Sequence, residues 1–313
     1  MAPNARIGIA YAFACLALLG VMPIIAGSRP AGVDGLTFTI WLTFWQLVSA
    51  IPLTVHEARR GKLATFRAIA PDRRLRAALI LLLTGSIFAV STLMYVVAAD
   101  KAGPVNLAIA LQAYPLFAIL LERVMLGKRK TRTELAFTLL ILVALLYLTT
   151  NGTFMPHEVS WWSVFTLGIP ILWSVAHIVL RQEMTSTPIT PNQLTTTRLV
   201  VSFVFLLVVS FVVGEPGSLL AGFASFDLQK TALLFGALYY WDLIFWFKSI
   251  RHIDVSVASS IGVPTPAVTM LVAVVFTGAE IATYQIVALV VIAVGLYGLL
   301  WAGRHGRRIP AVP

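Results

Sequence analysis

Charged residues are scarce in this chain of 313 residues, because they make up only 12% of it while hydrophobic residues make up 59%. Soluble domains carry about a quarter of their residues as charged side chains. The mean hydropathy of +0.89 agrees with that shortage. A soluble globular domain is therefore excluded, and a membrane protein is predicted.

Cysteine and the motifs of cofactor chemistry are equally scarce. A single cysteine, Cys15, excludes an intramolecular disulfide. The five histidines are scattered, without the spacing of metal ligands. No glycine-rich phosphate loop ending in lysine is present, so ATP does not drive this chain directly. We expect no metal and no cofactor.

Long apolar runs of about 20 residues dominate what is there, and such runs predict transmembrane helices. They are too long, and alternate too little, for the strands of a membrane barrel. The prediction is an all-α membrane protein with ten transmembrane helices, at 7–27, 35–55, 77–98, 104–125, 133–150, 161–181, 193–213, 230–249, 255–276 and 281–302.

The basic residues orient these spans. With the N-terminus in the cytoplasm, 19 of the 23 lysines and arginines fall on the cytoplasmic side. Cytoplasmic loops carry such an excess, so both termini are predicted to be cytoplasmic. Orientation explains the net charge of +10, and a nucleic-acid partner is not needed.

The two halves of the chain are related by a shift of 151 residues. Under it Gly85 falls on Gly236 and Pro115 on Pro266. Five spans per half give the halves opposite orientations, and inverted repeats with helix breakers at equivalent positions are typical of secondary transporters. The predicted repeats are residues 1–152 and 153–313.

Two segments carry a family resemblance. "NLAIALQAYPLFAILLERVMLGKRKT" has Pro115, Glu122 and Gly127, and "SVASSIGVPTPAVTMLVAVVFTGAEIA" has Pro266 and Gly278. The chain resembles the EamA branch of the drug/metabolite transporter superfamily. It departs from the family pattern at Ala273, where the second copy often has an acidic residue.

The resemblance implies alternating access around a central cavity lined by spans one, three, four, six, eight and nine. It implies export of small metabolites across the plasma (inner) membrane, with the aromatic amino acid exporters as the nearest subgroup. Amino acids are the favoured substrates, protons are a potential coupling ion, and no oligomer is required. A drug or other metabolite permease of the same fold, a membrane enzyme and a sensor are the alternatives.

One carboxylate, Asp242, lies inside a predicted span, about 16–20 Å from its outer end at 1.5 Å per residue. It shares a helix face with Tyr239 and Trp246, and the 151-residue shift puts Ser91 and Tyr95 on the equivalent face. A charge at this depth avoids lipid and indicates a binding site. Asp242 could bind a substrate ammonium or a proton, or it could pair structurally with Arg198.

Four further residues are predicted to reach the same cavity. Trp173 and His177 share one face of span six, and Gln112 and Tyr114 precede the proline of span four. His177 could equally serve as a hydrogen-bonding group between helices. Arg198 lies near a cytoplasmic end and is expected to snorkel towards the interface.

Mid-span prolines interrupt two predicted helices. Pro115, Pro264 and Pro266 each remove a backbone hydrogen bond and favour a kink. Their paired placement predicts hinges, with free backbone carbonyls near Gly262 able to bind a polar solute. Static kinks for packing are the alternative.

Overall fold

The chain folds into helices, and no strand occurs in the part of the chain that the structure describes. The computed structural model describes residues 5–61, 71–114, 116–117, 120–121, 131–186, 189–253, 258 and 261–306. The helices are α1 (Ala5–Gly27), α2 (Gly35–Arg59), α3 (Pro71–Lys101), α4 (Pro104–Leu111), α5 (Arg132–Thr149), α6 (Trp161–Ser186), α7 (Pro191–Val213), α8 (Pro216–Ala224), α9 (Phe226–His252), α10 (Thr265–Thr277) and α11 (Thr283–Gly306).

Seven of these helices are long and apolar enough to cross a membrane, namely α1, α2, α3, α5, α6, α7 and α11. Helix α9 has 27 residues. It is not among the seven because Asp242 and the tyrosines and tryptophans of this helix lower its mean hydropathy. Helix α10 has 13 residues, fewer than the ~20 of a full span. A helical membrane protein is thus confirmed, whereas ten spans, inverted repeats and cytoplasmic termini stay predictions.

Side chains fix where several helices begin. Thr131 and Glu134 form a capping box at the start of α5, and Thr190 and Gln193 form another at the start of α7. Asp34 accepts a hydrogen bond of 2.8 Å from the backbone N–H of Thr37 at the start of α2. Each cap satisfies backbone donors that a helix leaves without partners in its first turn.

Most contacts between the two halves come in matched pairs. Helix α1 packs against α9, and α6 packs against α3. Helix α2 packs against α9, and α7 packs against α3. Helix α1 meets the predicted ninth span through α10, and α6 meets the predicted fourth span through α4. Two contacts join helices that are equivalent under the 151-residue shift, namely α2 with α7 and α5 with α11. Helices α4 and α10 also meet, from the predicted fourth and ninth spans, but α4 precedes its turn and α10 follows its own.

Two glycines allow the closest of these crossings. A Cβ atom on Gly85 of α3 would lie 2.6 Å from Val201 of α7. A Cβ atom on Gly236 of α9 would lie 2.8 Å from the backbone oxygen of Leu42 in α2. Small residues permit such close approach between membrane helices, and here each glycine meets a helix of the other half.

Two helical stretches are interrupted at matching positions. Helix α4 ends at Leu111, and a turn at Gln112 and Ala113 interrupts the predicted span 104–125. The described residues after this turn, at 114, 116–117 and 120–121, are helical again. The second turn, at Val263 and Pro264, precedes α10. A shift of 151 residues places one turn on the other. Pro115 lies outside the described residues.

The sequence did not predict α8. This short helix lies between α7 and α9, in the connection between the seventh and eighth predicted spans. Gly222 lies against Trp41 of α2, and Ser218 and Thr37 share a hydrogen bond of 2.8 Å between their hydroxyl groups. Leu220 and Phe223 are exposed.

Candidate functional site

A central cavity of about 150 Å³ lies where the two halves meet. It is lined by Leu19, Pro23, Phe88, Ala108, Leu111, Gln112, Tyr114, Trp173, His177, Tyr239, Asp242, Leu243, Trp246, Gly262 and Thr265. These residues come from α1, α3, α4, α6, α9 and the region around the start of α10. They belong to the six spans that the family resemblance assigns to the cavity.

Seven of the nine residues predicted to bind substrate line this cavity. They are Gln112, Tyr114, Trp173, His177, Tyr239, Asp242 and Trp246. Helical spacing accounts for the grouping of the last three, because residues three, four and seven apart share a face of α9. That they bind substrate stays a prediction.

Ser91 and Tyr95 lie behind the wall, completely buried. The indole N–H of Trp173 donates a hydrogen bond of 3.1 Å to the Ser91 hydroxyl, and the rings of Trp173 and Tyr95 stack with centroids 6.3 Å apart. Trp173 of α6 therefore covers the polar face of α3. On the matching face of α9, by contrast, Tyr239, Asp242 and Trp246 line the cavity.

The side chain of Asp242 is 6% exposed, and its Oδ1 atom has no hydrogen-bond partner within the described protein. The Cys15 thiol donates to the Asp242 backbone carbonyl at 3.4 Å and also lies within hydrogen-bonding reach of the Asp242 carboxyl group. No ion pair joins Asp242 to Arg198 among the described residues. A buried carboxyl oxygen without a partner costs free energy, which a hydrogen bond from a polar solute would offset.

Arg198 does not snorkel, contrary to the expectation from its position. It is 5% exposed, and its guanidinium lies 3.7 Å above the centroid of the Phe88 ring. Gly85 allows α7 to pack closely against α3 one turn from Phe88, and a Cβ atom there would lie 3.2 Å from the Arg198 backbone oxygen. The Ser202 hydroxyl donates to the Gly85 carbonyl at 2.7 Å and reinforces that crossing.

His177 stands between two aromatic rings of the cavity wall. Its ring centroid is 5.4 Å from that of Phe88 and 5.6 Å from that of Tyr114, the latter in an edge-on arrangement. Its Nδ1 atom is buried without a hydrogen-bond partner within the described protein. The role of hydrogen bonding between helices, which the sequence left open for His177, therefore has no support at Nδ1.

Unpartnered polar atoms concentrate around this cavity. Five buried side-chain atoms in the described part of the chain lack a hydrogen-bond partner, and four of them are Tyr95 Oη, His177 Nδ1, Arg198 Nε and Asp242 Oδ1. The fifth, Trp41 Nε1, lies beside α8. Buried polar atoms ordinarily have partners, so this clustering indicates a site for a polar solute or water.

The turn before α10 forms one edge of the cavity through Gly262 and Thr265. The Thr265 hydroxyl donates to the Gly262 carbonyl at 2.6 Å. The prolines had suggested a free carbonyl at Gly262, but this hydrogen bond occupies it. Pro264 precedes the first residue of α10, and Pro266 is buried in its first turn. The hinge role of these prolines stays a prediction.

The second half of the chain has a recognisable sequence pattern. Residues 160–301 match the model of the EamA-like transporter family. This segment is EamA-like. The predicted resemblance to the drug/metabolite transporter superfamily is thereby confirmed, and the narrower aromatic amino acid subgroup stays a prediction. The EamA-like segment contains Trp173, His177, Tyr239, Asp242 and Trp246.

The fold as a whole has a solved counterpart. A crystal structure described only as that of a protein is 17% identical to the chain, with a TM-score of 0.60. The match covers 98% of this chain and 100% of that one. At this identity the match concerns the fold alone. No curated protein matches the chain. The family match and the apolar helices together indicate a multi-pass membrane transporter of small molecules.

Proposed function

We propose that this protein is a secondary transporter that exports small amphipathic metabolites, amino acids and in particular aromatic ones, by alternating access. One observation carries the proposal. Asp242 places a carboxyl oxygen without a partner in the wall of a central, aromatic-lined cavity. Intramembrane ionisable residues that face a cavity mark transport pathways.

The wall around Asp242 suits an aromatic amino acid. An ionised Asp242 attracts the substrate ammonium, and Tyr239, Trp173 and Tyr114 offer ring faces and edges to its side chain. Gln112 supplies an amide for further hydrogen bonds. The same carboxyl group, when it binds a proton instead, couples transport to the proton gradient.

Matched contacts support the inverted repeats of residues 1–152 and 153–313. Each crossing between α1 and α9, or α2 and α9, has its counterpart in α6 with α3 and α7 with α3. A pseudo-twofold axis produces such pairs, and rocking of one repeat against the other then opens the cavity to alternate sides.

The two turns suit hinges for that motion. Gln112 and Ala113 interrupt the first half where Val263 and Pro264 interrupt the second. Both turns adjoin the cavity through Gln112 and Gly262. A few residues that leave helical geometry can absorb a domain rotation, and the residues after each turn would move with it.

The orientation in the membrane follows from charge. With both termini in the cytoplasm, 19 of the 23 basic residues face the cytoplasm, which is the bias that the positive-inside rule describes. The plasma (inner) membrane is the location that the family resemblance implies. Export is the direction that the family resemblance implies.

Counterflow in proteoliposomes tests the proposal. Protein reconstituted with internal L-phenylalanine should accumulate external labelled L-phenylalanine, and Asp242→Asn should reduce that accumulation at least tenfold. Asp227→Asn, which changes an exposed carboxylate at the start of the same helix, should leave it unchanged. No accumulation of any amino acid in a broad panel would refute amino acid transport.

A drug or other metabolite permease of the same fold is the second candidate. Leu19, Pro23, Phe88 and Leu111 make one side of the cavity apolar, which suits lipophilic cations as well. Accumulation of such cations without amino acids in the same vesicles would favour it.

A further inference from the structure

Arg198 is a buried cation without an acidic partner among the described residues. The recorded contact of its guanidinium is the face of Phe88, 3.7 Å from the ring centroid. Its Nε atom has no hydrogen-bond partner within the described protein. Buried charges in proteins are ordinarily paired or hydrogen-bonded, and a charge within a membrane span is a candidate for a functional group.

Phe88 covers the Arg198 guanidinium beside the cavity, and two other cavity residues, His177 and Tyr239, lie within electrostatic reach of that cation. One face of the Phe88 ring meets the guanidinium, and Phe88 itself lines the cavity. His177, which packs against Phe88 at 5.4 Å, belongs to the same wall. A rotation of the Phe88 side chain would therefore expose the Arg198 guanidinium to a solute in the cavity.

Asp242 and Arg198 thus form a complementary pair of unpaired charges around one cavity. Each is at least nine-tenths buried, and each has a polar atom without a partner. Removing one partner of a buried ion pair leaves a costly lone charge. A ligand that brings both an ammonium and a carboxylate group satisfies both residues at once and adds no net charge to the site.

We propose that Arg198 binds the carboxylate of a zwitterionic substrate once Phe88 moves aside, while Asp242 binds the ammonium. This role of Arg198 rests on the proposed transport of amino acids. The Arg198 guanidinium would be the group that selects zwitterions over simple amines. The planar guanidinium can donate two parallel hydrogen bonds to a carboxylate, which a cation–π contact with Phe88 leaves available. Phe88 shields the cation from the cavity until substrate arrives.

Three ligands that differ by one charged group test this assignment. L-phenylalanine carries both groups, phenethylamine lacks the carboxylate, and 3-phenylpropionate lacks the amine. Their affinities are measured on the purified full-length protein in detergent by titration calorimetry. Arg198→Gln should weaken L-phenylalanine binding at least tenfold and leave phenethylamine binding within twofold of the wild type. Asp242→Asn should weaken phenethylamine binding and spare 3-phenylpropionate.

Phenethylamine also reports whether the Arg198→Gln cavity is folded. If Arg198→Gln does not fold, the Phe88→Leu variant tests whether Arg198 binds a carboxylate. The Phe88→Leu variant has no ring over the Arg198 guanidinium, so it should bind 3-phenylpropionate several-fold more tightly than the wild type does. Unchanged binding would overturn the proposal. Arg29→Gln serves as the matched control, because Arg29 pairs with Asp100 at 3.1 Å, away from the cavity.

The outcomes separate the two levels of the argument. Equal weakening of L-phenylalanine and phenethylamine by Arg198→Gln would give Arg198 a structural role and leave amino acid transport standing. Failure of the wild type to bind any of the three ligands would overturn the amino acid substrate class, and the role of Arg198 with it.

Discussion

Trp173 sets the difference between the two polar faces of the cavity region. Its indole N–H donates to Ser91, and its ring stacks on Tyr95. Ser91 and Tyr95 of α3 therefore pack against another helix, whereas Tyr239, Asp242 and Trp246 of α9 line the cavity. Trp173 thus covers Ser91 and Tyr95, whereas the residues equivalent to them under the 151-residue shift, Asp242 and Trp246, line the cavity.

The Trp173–Ser91 hydrogen bond should be measurable in stability. Ser91→Ala leaves the indole N–H without its partner, and the loss is expected to be about 1–3 kcal/mol. Trp173→Phe removes the donor as well as part of the ring, so the double variant should be less destabilised than the sum of the two single variants. Unfolding of the purified protein in detergent by denaturant measures each value. Strict additivity would contradict the hydrogen bond.

Helix crossings depend on glycine in α3 and α9. A methyl group on Gly236 would lie 2.8 Å from the backbone oxygen of Leu42 and 2.9 Å from the backbone nitrogen of Gln46. Backbone atoms cannot rotate away as a side chain can. Gly236→Ala is therefore expected to cost about 1–3 kcal/mol through overpacking.

A second glycine gives the control for that experiment. Nothing lies within 4 Å of a Cβ atom built on Gly217 in α8, so Gly217→Ala should change stability by less than about 0.5 kcal/mol. Thermal unfolding followed by circular dichroism compares the two variants. Equal stability of both would mean that α9 can withdraw from α2 without cost.

How much the sequence could predict depends on whether the signal is local. Seven of the predicted spans followed from apolar runs, and the grouping of the cavity residues of α9 followed from helical spacing. The covering of Ser91 by Trp173 and the place of Arg198 under Phe88 depend on contacts between distant helices, for which the sequence has no local signal. Helix α8 was missed because nine residues make a weak pattern.

The hydrogen-bonded carbonyl of Gly262 is a contact between residues close in sequence that the sequence analysis also missed. The prolines of "GVPTP" correctly indicated a break, but the hydroxyl of Thr265 was available to fill it. A threonine hydroxyl often donates a hydrogen bond to the backbone carbonyl three residues earlier. Thr265 was therefore a signal in the sequence, which the emphasis on proline obscured.

Orientation is a property of the whole molecule and can be tested with one cysteine at a time. In a Cys15→Ala background, Glu158→Cys lies between α5 and α6, on the predicted outer side. Arg60→Cys lies at the end of α2, on the predicted cytoplasmic side. A membrane-impermeant maleimide added to intact cells should label the cysteine at 158 and leave that at 60 unlabelled.

Disruption of the membrane should then make the cysteine at 60 reactive as well. Because both positions are exposed in the fold, a difference in labelling reports the membrane and is not caused by burial. Labelling of position 60 in intact cells, with position 158 protected, would invert the predicted topology.

The exchange of partners between the halves has a consequence for how such a protein is assembled. Gly85 packs on α7 and Gly236 packs on α2, so each half completes its interior only with helices that the other half supplies. A fragment ending before α6 would leave α3 without its neighbours α6 and α7. Two separately synthesised fragments would have to find each other in the bilayer before either reached its final shape, and an ancestor of half this length would have needed a second copy of itself.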